Sequence, residues 1–223
     1  MTAVNRPPDW LRWAREMQAI AQNGLTFARD PFDVQRYEAL RALASEVVTT
    51  FAESVRPSVS EQVVSELGVS FTSGVGYATP KLDVRAAVFR ESEDGPRILL
   101  VRERSDGNWT LPGGWADVGQ SVAQAVEKEA TEESGYVVRA TKLLAVLDRD
   151  RQGHPPHPEH VWKVFVRCEL VGGVGAGDGL ETDAVGFYGE AALPPLSLTR
   201  VLPAQIARLF EHYRNPELPT DFD

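Results

Sequence analysis

The chain has 223 residues, 43% of them apolar and 25% charged, the proportions of an ordinary globular protein. Its 23 basic and 32 acidic residues give a net charge of −9, which excludes the broad basic surface of a passive nucleic-acid binder. No run approaches the ~20 apolar residues of a membrane span, so no membrane partner is expected.

In chain order, Asp9 opens a helical pattern carried by Trp10, Leu11, Trp13, Met17 and Ile20, and Asn23-Gly24 supplies a stop. Asp30-Pro31 starts a second helix with Tyr37, Leu40, Leu43, Ala44, Val47, Val48 and Phe51 as its apolar stripe. A shorter third helix is expected from Ser60 to Gly68. Residues 1–75 thus read as a small all-α module, and its amphipathic helices call for a partner surface, most simply a dimer contact. The turn-rich Ser73–Pro80 stretch leads into a second domain, 76–223. There Val84, Ala86 and Val88 alternate, and Ile98–Val101 form a compact apolar run after the turn signal Glu93-Asp94-Gly95-Pro96. A helix is expected from Ser121 to Ser134, strands near Val137–Leu147, Val161–Leu170 and Ala184–Tyr188, and a last helix over Pro203–Tyr213. Strands interleaved with two helices predict a mixed α/β domain whose sheet is covered by helices. The start of the chain lacks the apolar stretch of a signal peptide, and the one cysteine, Cys168, reads as a buried inert thiol in a strand. A cytoplasmic location is the expectation.

Chemistry concentrates in residues 113–136. Ser121 suits an N-cap and Gly135 a helix stop. At ~100° per residue, Glu129, Glu132 and Glu133 fall at about 0°, −60° and +40°, on one narrow helix face. Three like charges so close repel, and a hard divalent cation such as Mg²⁺, which prefers carboxylate and phosphate oxygens, offsets the repulsion. Gly113, Gly114 and Gly119 let a loop fold tightly over the helix start. Around this segment, Trp109 is a candidate to stack on a base, Arg104 a candidate phosphate contact, and Lys163 a lysine able to reach a phosphate from the sheet. His154, His157 and His160 share a loop with three prolines, which prevent a helix that would align them on zinc.

The segment from Gly114 to Tyr136 resembles the signature of Nudix hydrolases: Gly, five residues, Glu, seven residues, Arg-Glu, apolar, any, Glu-Glu, any, Gly, apolar. Gly114, Glu129, Glu132, Glu133, Gly135 and Tyr136 match. Gln120 and Lys128 stand where the signature has Glu and Arg. The runs 10–26, 76–86, 109–119 and 215–220 further resemble bacterial CDP-choline pyrophosphatase-like members with an N-terminal helical module. The resemblance implies a Nudix α/β/α sandwich, with a mixed sheet and flanking helices, preceded by the helical module, and a homodimer. It implies Mg²⁺, or Mn²⁺, held by Glu129, Glu132 and Glu133 with the carbonyl of Gly113 or Gly114. The implied activity is hydrolysis of a nucleoside diphosphate linked to X, foremost CDP-choline to CMP and phosphocholine. ADP-ribose, nucleotide sugars and RNA ends are the alternatives, with a ligand-sensing regulator of little catalysis behind them. The general base stays open among Glu132, Glu181, Asp183 and Glu190.

Overall fold

The computed structural model describes residues 8–54, 74–177 and 179–223, so the helix expected over 60–68 lies outside the described residues. The chain divides into two compact units. One comprises the chain up to Lys81 together with Pro155–His160, the other Leu82–His154 and Val161–Asp223.

In the first unit, α1 spans Asp9–Phe27 and α2 spans Pro31–Ser54. Asp30 caps α2 as expected: its Oδ1 accepts the amides of Phe32 at 2.8 Å and Asp33 at 3.4 Å, donors that a first helical turn leaves without partners. Leu11, Ala14, Ala44 and Val48 fill the seam between the helices, and Trp10 stacks on Phe51 at 5.9 Å. Helix α1 does not stop at Asn23-Gly24. Gly24 serves close approach rather than a turn, since a Cβ there would lie 2.4 Å from the Tyr37 ring, while the Asn23 side chain accepts the Ala78 amide at 2.7 Å. Arg15 of α1 donates from Nε to the Pro158 carbonyl at 3.0 Å and from Nη2 to the His157 carbonyl. Lys81 pairs with Glu159 at 3.2 Å. Trp13, Ile20, Phe27 and Phe32 stay largely exposed on these helices. Among the described residues no helix is long and apolar enough to cross a membrane.

The sheet contains β1 (Lys81–Arg90), β2 (Arg97–Glu103), β3 (Trp109–Thr110), β4 (Tyr136–Asp148), β5 (Val161–Gly173), β6 (Thr182–Gly189) and β7 (Asp221–Phe222). Its helices are α3 (Val122–Ser134) and α4 (Pro203–Arg214). The strand order is β3-β2-β1-β5-β4-β7, with β6 pairing along β2. Strand β2 is antiparallel to β1, β3 and β6; β4 is antiparallel to β5 and parallel to β7. Both faces of the sheet are buried, so β1 is covered from residue 83 to 88 rather than on alternate positions only. Val84, Ala86, Val88 and Leu99 meet Ala125, Val126 and Ala130 of α3. On the other face Ala87, Ile98 and Leu100 meet Ile206, Leu209 and Phe210 of α4. Each fully buried Leu, Ile or Phe contributes ~1.5–3 kcal/mol, and the two-period strand pattern dictates which helix each one joins. The result is the expected sandwich.

Candidate active site

Helix α3 is fixed at both ends by its own sequence. The Ser121 hydroxyl accepts the Gln124 amide at 3.2 Å, and Gln124 Oε1 accepts the Ser121 amide at 2.9 Å, a reciprocal cap. Gly135 closes the helix in the left-handed conformation, φ 68° and ψ 1°. Glu127 Oε1 accepts the Ala140 amide at 2.8 Å, tying α3 to β4.

The loop before α3 runs beside β1. Ala86 donates to the Pro112 carbonyl at 2.9 Å, Val84 to Gly114 at 2.8 Å, and Ala116 to Leu82 at 3.0 Å. Gly113 has φ 143°, and a Cβ there would lie 2.0 Å from the Val84 carbonyl oxygen, so only glycine fits. A Cβ on Gly114 would lie 2.7 Å from Glu129 Oε2. The two glycines therefore press loop backbone onto the glutamates.

Glu133 is only 5% exposed and accepts the Gly113 amide at 2.8 Å. Burial pushes its pKa from 4.5 up to about 8. The Arg85 guanidinium and the Gly113 amide oppose the rise, and the Glu103 and Glu129 charges add to it. Glu129 has a side chain 16% exposed. Burial raises its pKa too, against Lys128 and with Glu132. Glu132 is 58% exposed at the rim. Lys128 Nζ lies 3.0 Å from Asp117 Oδ2 and 3.6 Å from both Glu129 Oε1 and Glu132 Oε2. Its hydrogen bond to Asp117 leads the causes that raise its pKa. A buried and a half-buried carboxylate, mutually repelling and with raised pKa values, suit a divalent cation, which would restore their charged forms.

Beneath the loop lies a buried ionic group that the sequence reading did not assign. Arg85 donates to Asp83 through Nε at 2.7 Å and Nη2 at 3.0 Å, and through Nη1 to the Leu111 carbonyl at 3.1 Å. Lys163 Nζ donates to Asp83 Oδ2 at 2.9 Å. Burial alone would raise the Asp83 carboxyl, but the two cations outweigh it and hold it well below the usual carboxylate range. Burial lowers Lys163 to about 8, against the pull of Asp83. Lys163 is fully buried. The phosphate contact expected of it gives way to a structural role, because its ammonium is spent on Asp83 inside the sandwich. Polar residues at 83 and 85, inside an apolar strand, were the signal that this group existed.

The other sequence candidates have neighbours of their own. Trp109 meets Tyr188 edge-on at 4.9 Å and packs, partly buried, against the α4-side core. Arg104 is exposed, donating to the Gly179 carbonyl at 2.7 Å while its amide donates to the Glu181 carbonyl at 2.9 Å. Glu103 is buried, at a register shift in β2, and Arg200 Nε reaches it at 2.9 Å. Of the acids outside α3, Asp183 is bonded to Arg102 at 2.7 Å and Glu190 to Arg214 at 2.6 Å. The charge of Glu181 acts on both Glu129 and Glu103. His154 donates from Nδ1 to the Leu198 carbonyl at 2.7 Å with Nε2 beside Gln205 at 3.1 Å. Burial lowers its pKa to about 3, so it is neutral. With both ring nitrogens engaged, it is no zinc ligand.

Comparison with known proteins agrees with this geometry. Residues 80–209 match the NUDIX domain, and residues 8–62 match a family described as a UDP-X-like N-terminal oligomerisation domain. The chain is 44% identical over 214 residues to YjhB of Bacillus subtilis, provisionally named an ADP-ribose pyrophosphatase, covering 96% of this chain and 97% of that protein. A crystal structure of an ADP-ribose pyrophosphatase from Streptococcus suis is 46% identical, with a TM-score of 0.58 over 65% of this chain and 100% of the other. A crystal structure of a UDP-X diphosphatase is 32% identical, with a TM-score of 0.59 over 96% of this chain and 98% of the other. With its glycine loop, capped helix and acidic face in place, the chain belongs to the Nudix family and is a Nudix pyrophosphohydrolase.

Proposed function

We propose that this protein hydrolyses the diphosphate bond of a nucleoside diphosphate linked to a second group, with Mg²⁺ as cofactor and Mn²⁺ as a substitute. The observation that carries the reading is the pairing of Glu133, buried and bonded to the Gly113 amide, with the half-buried Glu129 beneath the Gly114 backbone. Glu129, Glu132 and Glu133 would hold the cation, with the Gly113 or Gly114 carbonyl as a further ligand. When bound, the cation neutralises diphosphate charge and lowers the pKa of a water.

The chain's own groups do the rest. The Gly113 amide orients Glu133, and Arg85 holds the loop by the Leu111 carbonyl. Glu181 takes the proton of the attacking water at its carboxylate. It is favoured because its charge acts on Glu129 of the acidic face. Arg104 flanks the same loop and meets the substrate at its exposed side. The names of the relatives put ADP-ribose and UDP-linked compounds ahead of CDP-choline, with RNA ends behind. The helical module supports a homodimer through the exposed apolar residues of α1 and α2.

The test is hydrolysis of ADP-ribose, a UDP-sugar and CDP-choline in ¹⁸O-labelled water with Mg²⁺, with the labelled product identified. Mg²⁺-dependent release of a nucleoside monophosphate from at least one, lost in Glu133→Gln, supports the reading. Equal turnover by Glu133→Gln overturns it.

A further inference from the structure

Backbone bonds tie residues 112–116 to β1, and Ser121 caps α3. Between them Asp117–Gly119 project outward, with Val118 fully exposed and Gly119 at φ 88°. The Asp117 carboxylate bridges this stretch back to α3 through Lys128. The Lys128 ammonium has three acidic neighbours, Asp117 Oδ2 at 3.0 Å and Glu129 Oε1 and Glu132 Oε2 both at 3.6 Å. Two of the three are carboxylates assigned above to a divalent cation. An ammonium at that distance competes with the cation for the same oxygens, and two cations so close repel each other. Asp117 gives the ammonium its shortest contact, on the loop side.

We propose that Asp117 is a positioning residue that holds the Lys128 ammonium on the loop, releasing Glu129 and Glu132 to a divalent cation. The inference rests on the metal reading given under Proposed function. It makes the two partners of one ion pair act in opposite directions. Neutralising Asp117 while Lys128 remains lets the ammonium settle on the glutamates and weakens metal binding. Removing Lys128 removes the competitor. A brace that only stiffened the loop would suffer equally from the loss of either partner.

The experiment is a titration of the full chain with Mn²⁺, without substrate, following free Mn²⁺ by electron paramagnetic resonance. Asp117→Asn is expected to weaken binding roughly threefold to fivefold, the scale of an exposed ion pair. Lys128→Met is expected to bind as tightly as wild type or more so, and the double variant to follow Lys128→Met. Asp117 is exposed and Lys128 partly so, and thermal melts in chelator confirm that each variant is folded. The proposal is overturned if Asp117→Asn binds Mn²⁺ like wild type, or if Lys128→Met weakens binding as much as Asp117→Asn and the double variant is no better. Wild type and Glu129→Gln separate the two claims. If the wild type binds no Mn²⁺, or Glu129→Gln binds it equally well, the metal reading fails and takes this inference with it.

Discussion

Glu133→Gln should make the metal-free protein more stable above neutral pH while abolishing Mg²⁺-dependent turnover. The Glu133 carboxyl ordinarily titrates near 4.5 and is pushed to about 8 in the fold, chiefly by burial. A raised folded value means that the neutral acid is the stabilised form. Its contribution is fully present below about 4.5 and is lost as the pH rises through about 8. The span between those values is worth ~5 kcal/mol at most. Relaxation and water entry around a buried ion reduce it, and we take ~2 kcal/mol as the working size. A chain of this length shifts its Tm by ~2–4 °C per kcal/mol, so about 4–8 °C is expected. The assay is a thermal melt of both proteins in chelator at pH 5 and pH 9. The curves should nearly coincide at pH 5, and the variant should melt higher at pH 9. Saturating Mg²⁺ should raise the Tm of the wild type alone. Wild type and variant keeping the same Tm difference at both pH values would refute the reasoning.

Three further outcomes follow from particular contacts. Gly113→Ala places a methyl 2.0 Å from the Val84 carbonyl at φ 143°, and should cost ~2–3 kcal/mol in urea unfolding, whereas Gly119→Ala, with open space around it, should cost about 1 kcal/mol. Lys163→Met removes one partner of a buried pair and should cost ~3–5 kcal/mol. Folded Lys163→Met should keep its KM for the diphosphate substrate, while a raised KM with unchanged stability would restore Lys163 to the phosphate site. Asp221→Asn breaks the paired bonds from Arg208 at 2.6 and 2.7 Å and the His212 contact at 2.8 Å, and should cost about 1 kcal/mol at pH 7. The Asp221 pKa is lowered from 3.8 to about 2, so this difference should shrink as the pH falls through that range, as pH-dependent melts would show.

The parts legible in the sequence are those governed by near neighbours. Ser121, Gln124 and Gly135 fix the ends of α3 within a few residues of themselves, and the period of the apolar residues in β1 and α4 places them in the sandwich. What escaped depends on distant pairing. Strands β3 and β7 have two residues each, too few for a period, and exist because Thr110 faces Val101 and Asp221 faces Ala145. Gly24 looked like a helix stop because glycine favours one, but the demand on it comes from Tyr37 in the next helix. Lys163 looked like an outward-reaching cation because its partner, Asp83, lies 80 residues earlier. The Glu129–Glu133 face was readable from spacing alone, whereas the pairing of Asp117 with Lys128 across 11 residues needed the loop to be folded first.

The segment Pro155–His160 belongs to the helical unit although it is encoded in the middle of the other one. Its carbonyls are held by Arg15, and Glu159 by Lys81. The helical unit is therefore discontinuous along the gene. A shortened chain beginning at Leu82 would keep six residues of the missing unit and leave the His157 and Pro158 carbonyls without their Arg15 donor. Excising the front of the gene is not equivalent to excising a domain, and a useful truncation would have to rewrite that six-residue segment as well.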